Sequence, residues 1–205
     1  MHGRLAPPAA ARLRADRAGR ADVAGRLVRH LHADHPADPR DLTLDAEGAW
    51  SRLDGDADVD VEGRLIGGCI ETIGHLAGAP YLDTSRFAGD EPLLVYVEAC
   101  EDNAFTICRH LHGMLPHART PSRGGTPTAG FFDRAAAVLV GRTRAPDGRT
   151  LTRHQAVLDA LGPLGVPIVA DVECGHVAPY LPLVNGARGR VVHTAARSEI
   201  VQIPD

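Results

Sequence analysis

Residues 93–114 read LLVYVEACEDNAFTICRHLHGM. The first five, Leu93–Val97, are an unbroken apolar run of the kind found in strands buried on both faces. Glu98 ends that run. Asp102 then stands where a helix N-cap belongs, and Asn103–Met114 reads as the helix it opens. A doubly buried strand followed directly by a helix is the first half of a strand–helix–strand unit with parallel pairing.

The same pattern recurs downstream. Ala135–Val140 (AAAVLV) is a second apolar strand, and Thr150 or Thr152 caps a helix that runs to Leu164. Val166–Val172 (VPIVADV) is a third. Upstream, Gly63–Cys69 (GRLIGGC) reads as a short strand breaking at paired glycines. Ile70–Leu76 reads as a helix opened by Glu71, ended at Gly78 and followed by Pro80. The tail, Ala187–Ile203, alternates twice around a turn near Ala196–Ser198 and reads as a hairpin (GRVVHT, EIVQI). The expectation is an α/β domain with mainly parallel strands, crossover helices and a terminal hairpin, spanning residues 48–205. Within it, residues 115–129 (LPHARTPSRGGTPTA) are an exposed loop rich in Pro, Gly, Ser and Thr. Residues 1–47 are an Ala/Arg-rich leader, expected to be solvated or partly disordered. The other reading of this leader is a packed helix over 9–32, with Leu13, Val23, Leu27, Val28 and Leu31 as its apolar positions.

Composition bounds the chemistry. The 205 residues are 44% hydrophobic and 23% charged, which is globular, with a net charge of −4. Aromatics are only 4%, so Val, Leu, Ile and Ala must fill the core. That charge and a pI near 6.2 argue against a basic nucleic-acid binder. All 22 basic residues are Arg, so Schiff-base chemistry on lysine is excluded. No run of 18 apolar residues could span a membrane, and the N-terminus lacks a secretory apolar core. Cys69, Cys100, Cys108 and Cys174 form no CxxC pair, which fits reduced thiols in a cytoplasmic protein.

Two strands run into reactive residues: Leu93–Val97 into Glu98, and Val166–Val172 into Glu173, Cys174, Gly175 and His176. Sites of open α/β sheets form where parallel strands end. If these strands are neighbours, Glu98 and His176 meet at one rim. A carboxylate accepting from one imidazole nitrogen fixes the tautomer, and the other nitrogen can take a proton from a nucleophile. Residue types alone leave other readings open. A strand-end Glu is more often a surface or capping residue, and His176 can be a structural histidine. Cys174 and His176 could form a metal corner, but no second Cys/His pair has finger spacing. Cys174 could act as a nucleophile, although it stands only two residues from His176. His110 and His112 lie on a helix and point to different faces. Cys69 and Cys108 read as small buried hydrophobes. None of Ser51, Ser85, Ser122 and Ser198 sits in a nucleophile elbow.

In order, the segments GRLIGGCIETIGHLAGAPY, LLVYVEACEDNAFTICRHLHGM, AGFFDRAAAVLVGRT and VPIVADVECGHVAPYLPLVNG resemble the C-terminal half of the LD-carboxypeptidase family of serine peptidases. The family includes the microcin C self-immunity peptidases. The resemblance covers about residues 60–192. It implies amide hydrolysis by a Ser–His–Glu triad, without metal or cofactor, on peptidoglycan-derived or peptidyl-nucleotide substrates. It implies that Glu98 is the triad glutamate and His176 the triad histidine. It also aligns Gly67 and Gly68 with the family's paired glycines. The family's nucleophile lies in an N-terminal domain for which residues 1–47 are too short, and they contain no serine. Residues 115–129 are an insertion relative to the family. The expected partners are therefore a peptide or peptidyl-nucleotide substrate, a separate N-terminal domain, and further copies of the chain, as a homodimer or other homo-oligomer. The alternative is a non-catalytic truncated homologue or one half of a split enzyme.

Overall fold

The computed structural model describes residues 49–79, 82–84, 87, 89–100, 102–115, 130–177 and 181–203. It also describes the backbone of residues 11–15, 21–24 and 42–44. Three short strands lie in that leader backbone: β1 (Ala11–Ala15), β2 (Ala21–Ala24) and β3 (Leu42–Leu44). The other reading of the leader, a packed helix over 9–32, does not hold at the described residues 11–15 and 21–24, which are strand. The run ARLRA alternates with the period of a strand, and β2 pairs antiparallel with the last strand of the chain. The rest of the leader, and residues 116–129 of the expected loop, lie outside the described residues.

Downstream come β4 (Ser51–Arg52), β5 (Val59–Cys69), α1 (Ile70–Ile73), β6 (Leu93–Glu98), α2 (Ala104–Met114) and β7 (Ala135–Gly141). They are followed by α3 (Arg153–Leu161), a 3-10 turn (Gly162–Leu164), β8 (Ile168–Val172), β9 (Arg188–His193) and β10 (Ser198–Ile203). Strands β5, β6, β7 and β8 are parallel neighbours in that order. Antiparallel strands flank them, with β9 and then β10 beyond β5, and β4 beyond β8. The expected mixed α/β fold, with a parallel centre, crossover helices and a closing hairpin, is what forms.

The apolar runs explain the layering. On β6, Leu93, Val95 and Val97 join the core beneath α2 and α3, with Ile107, Leu111, Val157 and Leu161. Leu94 and Tyr96 point the other way, into a second core with Leu65, Leu139, Val191 and Ile200. Both faces of the strand are thus dry, as an all-apolar run requires. The sheet curls into a half-barrel. Trp50, beside the edge strand β4, sits 6.2 Å from the His193 ring on β9, although four parallel strands separate β4 from β9 in the sheet.

Local details depart from expectation in four places. The cap of α2 is Asn103, whose side chain accepts from the backbone N–H of Phe105 and Thr106 at 3.0 and 3.2 Å. Asp102 instead lies 3.7 Å from His110. Helix α1 is a single turn capped at Gly74, a poor helix former, and does not reach Leu76 as a helix. Strand β5 begins at Val59 rather than Gly63, because Val59–Glu62 continues the pairing with β9. The hairpin turn is Thr194–Arg197, where the Thr194 hydroxyl accepts from the N–H groups of Ala196 and Arg197. For α3, Thr152 is the cap and forms a reciprocal capping box with Gln155.

Candidate active site

Glu98 is the last residue of β6 and pairs with Cys69, the last residue of β5. The pleat puts it on the same face as Leu94 and Tyr96. Its side chain is only 7% exposed. Two glycines make room for it. A Cβ on Gly141, from neighbouring β7, would lie 2.7 Å from Glu98 Cβ and 2.6 Å from the Cys174 carbonyl oxygen. A Cβ on Gly175 would lie 2.7 Å from Glu98 Oε2. Gly175 also has φ +97°, a conformation that favours glycine.

The turn after β8 carries the second component. Glu173 points inward, Cys174 is buried, Gly175 turns the chain, and His176 emerges with 53% of its side chain exposed. His176 Nδ1 lies 2.8 Å from Glu98 Oε2. An ionised carboxylate only accepts, so Nδ1 carries the hydrogen and Nε2 is the nitrogen with a lone pair to offer. Strand-end placement thus brings Glu98 and His176 to one rim, as the sequence pattern anticipates.

Glu173 is a participant the sequence reading did not assign. It is wholly buried, and Trp50 Nε1 donates to its Oε2 at 2.6 Å. Its Oε1 has no hydrogen-bond partner among the described residues. Burial pushes its carboxyl above the ordinary value, opposed by the Trp50 hydrogen bond. Its carbonyl accepts from the Leu181 N–H at 2.5 Å, which anchors the far side of the loop bearing His176. The loop is also pinned at Asn185, whose Oδ1 accepts from Gly67 N–H at 2.9 Å and whose Nδ2 donates to Gly67 O at 3.2 Å. Gly67 must be glycine, since a Cβ there would fall 1.7 Å from the Tyr96 carbonyl oxygen. The signal for Glu173 in the sequence is its position, one residue before Cys174, at the end of an apolar strand.

The other candidates fare differently. Burial pushes the Cys174 thiol up to about 12, far from the thiolate a cysteine nucleophile needs. Cys174 and His176 belong to no group of three His, Cys, Asp or Glu donor atoms all within 4.8 Å of one another among the described residues. His110 and His112 do point apart, toward Asp102 and Asp159 respectively. Cys69 and Cys108 are not buried hydrophobes. Both are half-buried thiols on carboxylates, Glu71 at 2.8 Å and Asp159 at 3.4 Å. Burial, reinforced by Glu71, raises the Cys69 thiol to about 11. Ser198 is bonded to His193 Nδ1 at 2.8 Å, and Ser51 is in β4. Ser85 and Ser122 lie outside the described residues. On the helix side of Glu98, a hollow lined by Val97, Val140, Arg153 and His154 measures about 30 Å³. That is room for a water or two rather than a peptide, and the open side of the pair is the one where His176 is exposed.

Comparison with known proteins follows this geometry. Residues 62–191 match the model of the LD-carboxypeptidase C-terminal domain. No curated protein sequence matches the chain significantly. Among solved structures, the muramoyltetrapeptide carboxypeptidase from Oxalobacter formigenes superposes with a TM-score of 0.56 at 18% identity, over 76% of this chain and 50% of that one. An MccF-like protein from Bacillus anthracis str. Ames gives 0.56 at 16% identity, over 91% and 52%. The microcin immunity protein MccF in complex with glutamyl sulfamoyl guanosine gives 0.57 at 18% identity, over 89% and 51%. At these identities the likeness is one of fold, and the chain spans about half the length of each structure.

Proposed function

The chain belongs to the family of LD-carboxypeptidase C-terminal domains, and from that premise we propose that it supplies the histidine–glutamate half of a serine peptidase site. The observation that carries this reading is the 2.8 Å contact between His176 Nδ1 and Glu98 Oε2. The serine, and the donors that hold the oxyanion, come from the family's N-terminal domain, whether on a separate chain or on a further stretch of this one. The substrate is the amide bond of a peptidoglycan-derived peptide or of a peptidyl-nucleotide. The second class is supported by the sulfamoyl-nucleoside ligand bound to MccF.

The geometry supports the following division of labour. His176 Nε2 accepts the serine proton as Oγ attacks the amide carbonyl, and the imidazolium then protonates the leaving amine. A water molecule repeats the cycle on the acyl-serine and frees the carboxylate product. Glu98 holds the ring in the reactive tautomer and stabilises the imidazolium. Because Glu98 is buried, its field acts on the ring with little screening by solvent. His176, half exposed, is the member of the pair that faces an incoming domain.

Reconstitution tests this. The purified chain is assayed on an LD-tetrapeptide and on a peptidyl-nucleotide, alone and with a family N-terminal domain added. Turnover in the mixture only, lost in either Glu98→Ala or His176→Ala, is the expected result. Turnover by the chain alone, abolished by His176→Ala, would overturn the assignment of the nucleophile to another domain. Silence in both arms would overturn catalysis and leave a non-catalytic homologue.

A further inference from the structure

Helices α2 and α3 pack side by side over the outer core, and three side chains converge between them that the peptidase reading does not use. Cys108 and His112 are four residues apart on α2, so they share one face. Asp159 comes from α3. Cys108 Sγ donates to Asp159 Oδ2 at 3.4 Å, and His112 Nε2 lies 2.9 Å from the same oxygen. All three donor atoms lie within 4.8 Å of one another.

We propose that Cys108, His112 and Asp159 bind a zinc-class divalent metal ion that ties α2 to α3.

Ligand spacing supports it. Tetrahedral zinc with bonds of about 2.0–2.3 Å holds its donors roughly 3.3–3.8 Å apart. The observed 3.4 and 2.9 Å contacts need only small side-chain shifts to reach that frame. The donor set is a thiolate, an imidazole and a single carboxylate, which suits zinc and not the all-oxygen preference of calcium or magnesium. Without metal, one carboxylate oxygen serves both a thiol and an imidazole. The metal replaces both hydrogens. The thiol proton goes to solvent, and the imidazole proton moves from Nε2 to Nδ1. One proton leaves per ion, and thiolate and carboxylate together neutralise the dication. His112 and Asp159 are 47% and 62% exposed, so the ion enters from solvent and water completes the shell. No other such group of three donors occurs among the described residues.

Cobalt(II) titration of the full chain tests the proposal independently of any hydrolytic activity. The expected result is one Co²⁺ per chain, with a thiolate-to-cobalt band in the near ultraviolet and intense tetrahedral bands in the visible. Zn²⁺ should displace it and raise the thermal midpoint. Cys108→Ser should abolish the near-ultraviolet band and weaken zinc binding at least about 100-fold, more than loss of a supporting group costs. His112→Gln is a second variant, at an exposed residue, and should do the same to affinity. Absence of the band at large Co²⁺ excess would overturn the proposal. So would a band that survives in Cys108→Ser, since the thiolate would then be another cysteine. Equal zinc affinity in wild type and both variants would mean adventitious binding to other members of the chain's eleven histidines. The Glu98 and His176 variants should leave the cobalt spectrum unchanged.

Discussion

The backbone of Gly175 passes so close to Glu98 that a Cβ on it would lie 2.7 Å from Oε2 and 2.8 Å from the glutamate's own Cβ. The residue before the candidate base is thus the floor on which its carboxylate rests. Gly186 also has positive φ, +90°, but a Cβ there meets nothing within 4 Å.

The two glycines separate strain from displacement. Gly186→Ala should cost about 1–2 kcal/mol, the penalty of left-handed backbone alone. Gly175→Ala should cost clearly more, because Glu98 must also move, and should reduce turnover of a reconstituted enzyme. Urea unfolding of both variants checks it; equal losses would mean that Glu98 yields freely.

Glu98→Gln should keep the fold and lower kcat of the reconstituted enzyme by about 10⁴-fold, since a glutamine can hold the wrong tautomer of its histidine. The KM should change little, because Glu98 lies behind the ring. A loss confined to KM would assign Glu98 to binding instead.

Glu173 predicts a pH signature. Its folded-state carboxyl is raised, so the folded chain holds a proton that the unfolded chain has already released. Its contribution is then fully present below the ordinary carboxyl value and is lost as pH rises through the raised one. Glu173→Gln keeps the Trp50 hydrogen bond without the charge. It should stabilise the protein at neutral pH and lose that advantage in acid. Trp50→Phe should destabilise by about 1–3 kcal/mol, because it takes the indole donor away from a buried carboxyl. Thermal midpoints measured across pH check both; a Glu173→Gln effect that does not vary with pH would show the carboxyl to be unperturbed.

Thr152→Ala removes the capping box of α3 and should cost about 1 kcal/mol. Gly162→Ala, at a helical φ of −52° with open space around it, should be neutral or stabilising by up to about 1 kcal/mol. Chemical unfolding of the pair tests whether α3 is tuned at both ends.

What the sequence made legible was local. The apolar runs of β6, β7 and β8 mark strands buried on both faces whatever surrounds them, and Thr152 with Gln155 marks a helix start. Glu98 and His176 could be paired because each follows such a run and because the resemblance names the same two positions. What stayed hidden depends on partners distant in the chain. Ser51–Arg52 is too short to read as a strand until β8 lies beside it. Trp50 and Glu173 are 123 positions apart, and only the pairing of β4 with β8 brings them together. Cys108 looks like a small core residue on one helix until α3 brings Asp159 against it. The one-turn α1 shows the opposite failure, a plausible helix pattern cut short by Gly74.

The antiparallel flank of β5 carries a consequence for biosynthesis. Strand β5 pairs on one side with β6, made soon after it, and on the other with β9, whose residues 188–193 are made well after β6. On a ribosome adding about 5–20 residues per second, that second edge stays bare for several seconds. Until β9 emerges, the nascent chain exposes an unpaired template for other strands. The buried tracts of the parallel centre must therefore wait for the β9–β10 hairpin, and a stall before residue 188 would leave a sticky intermediate for chaperones to shield.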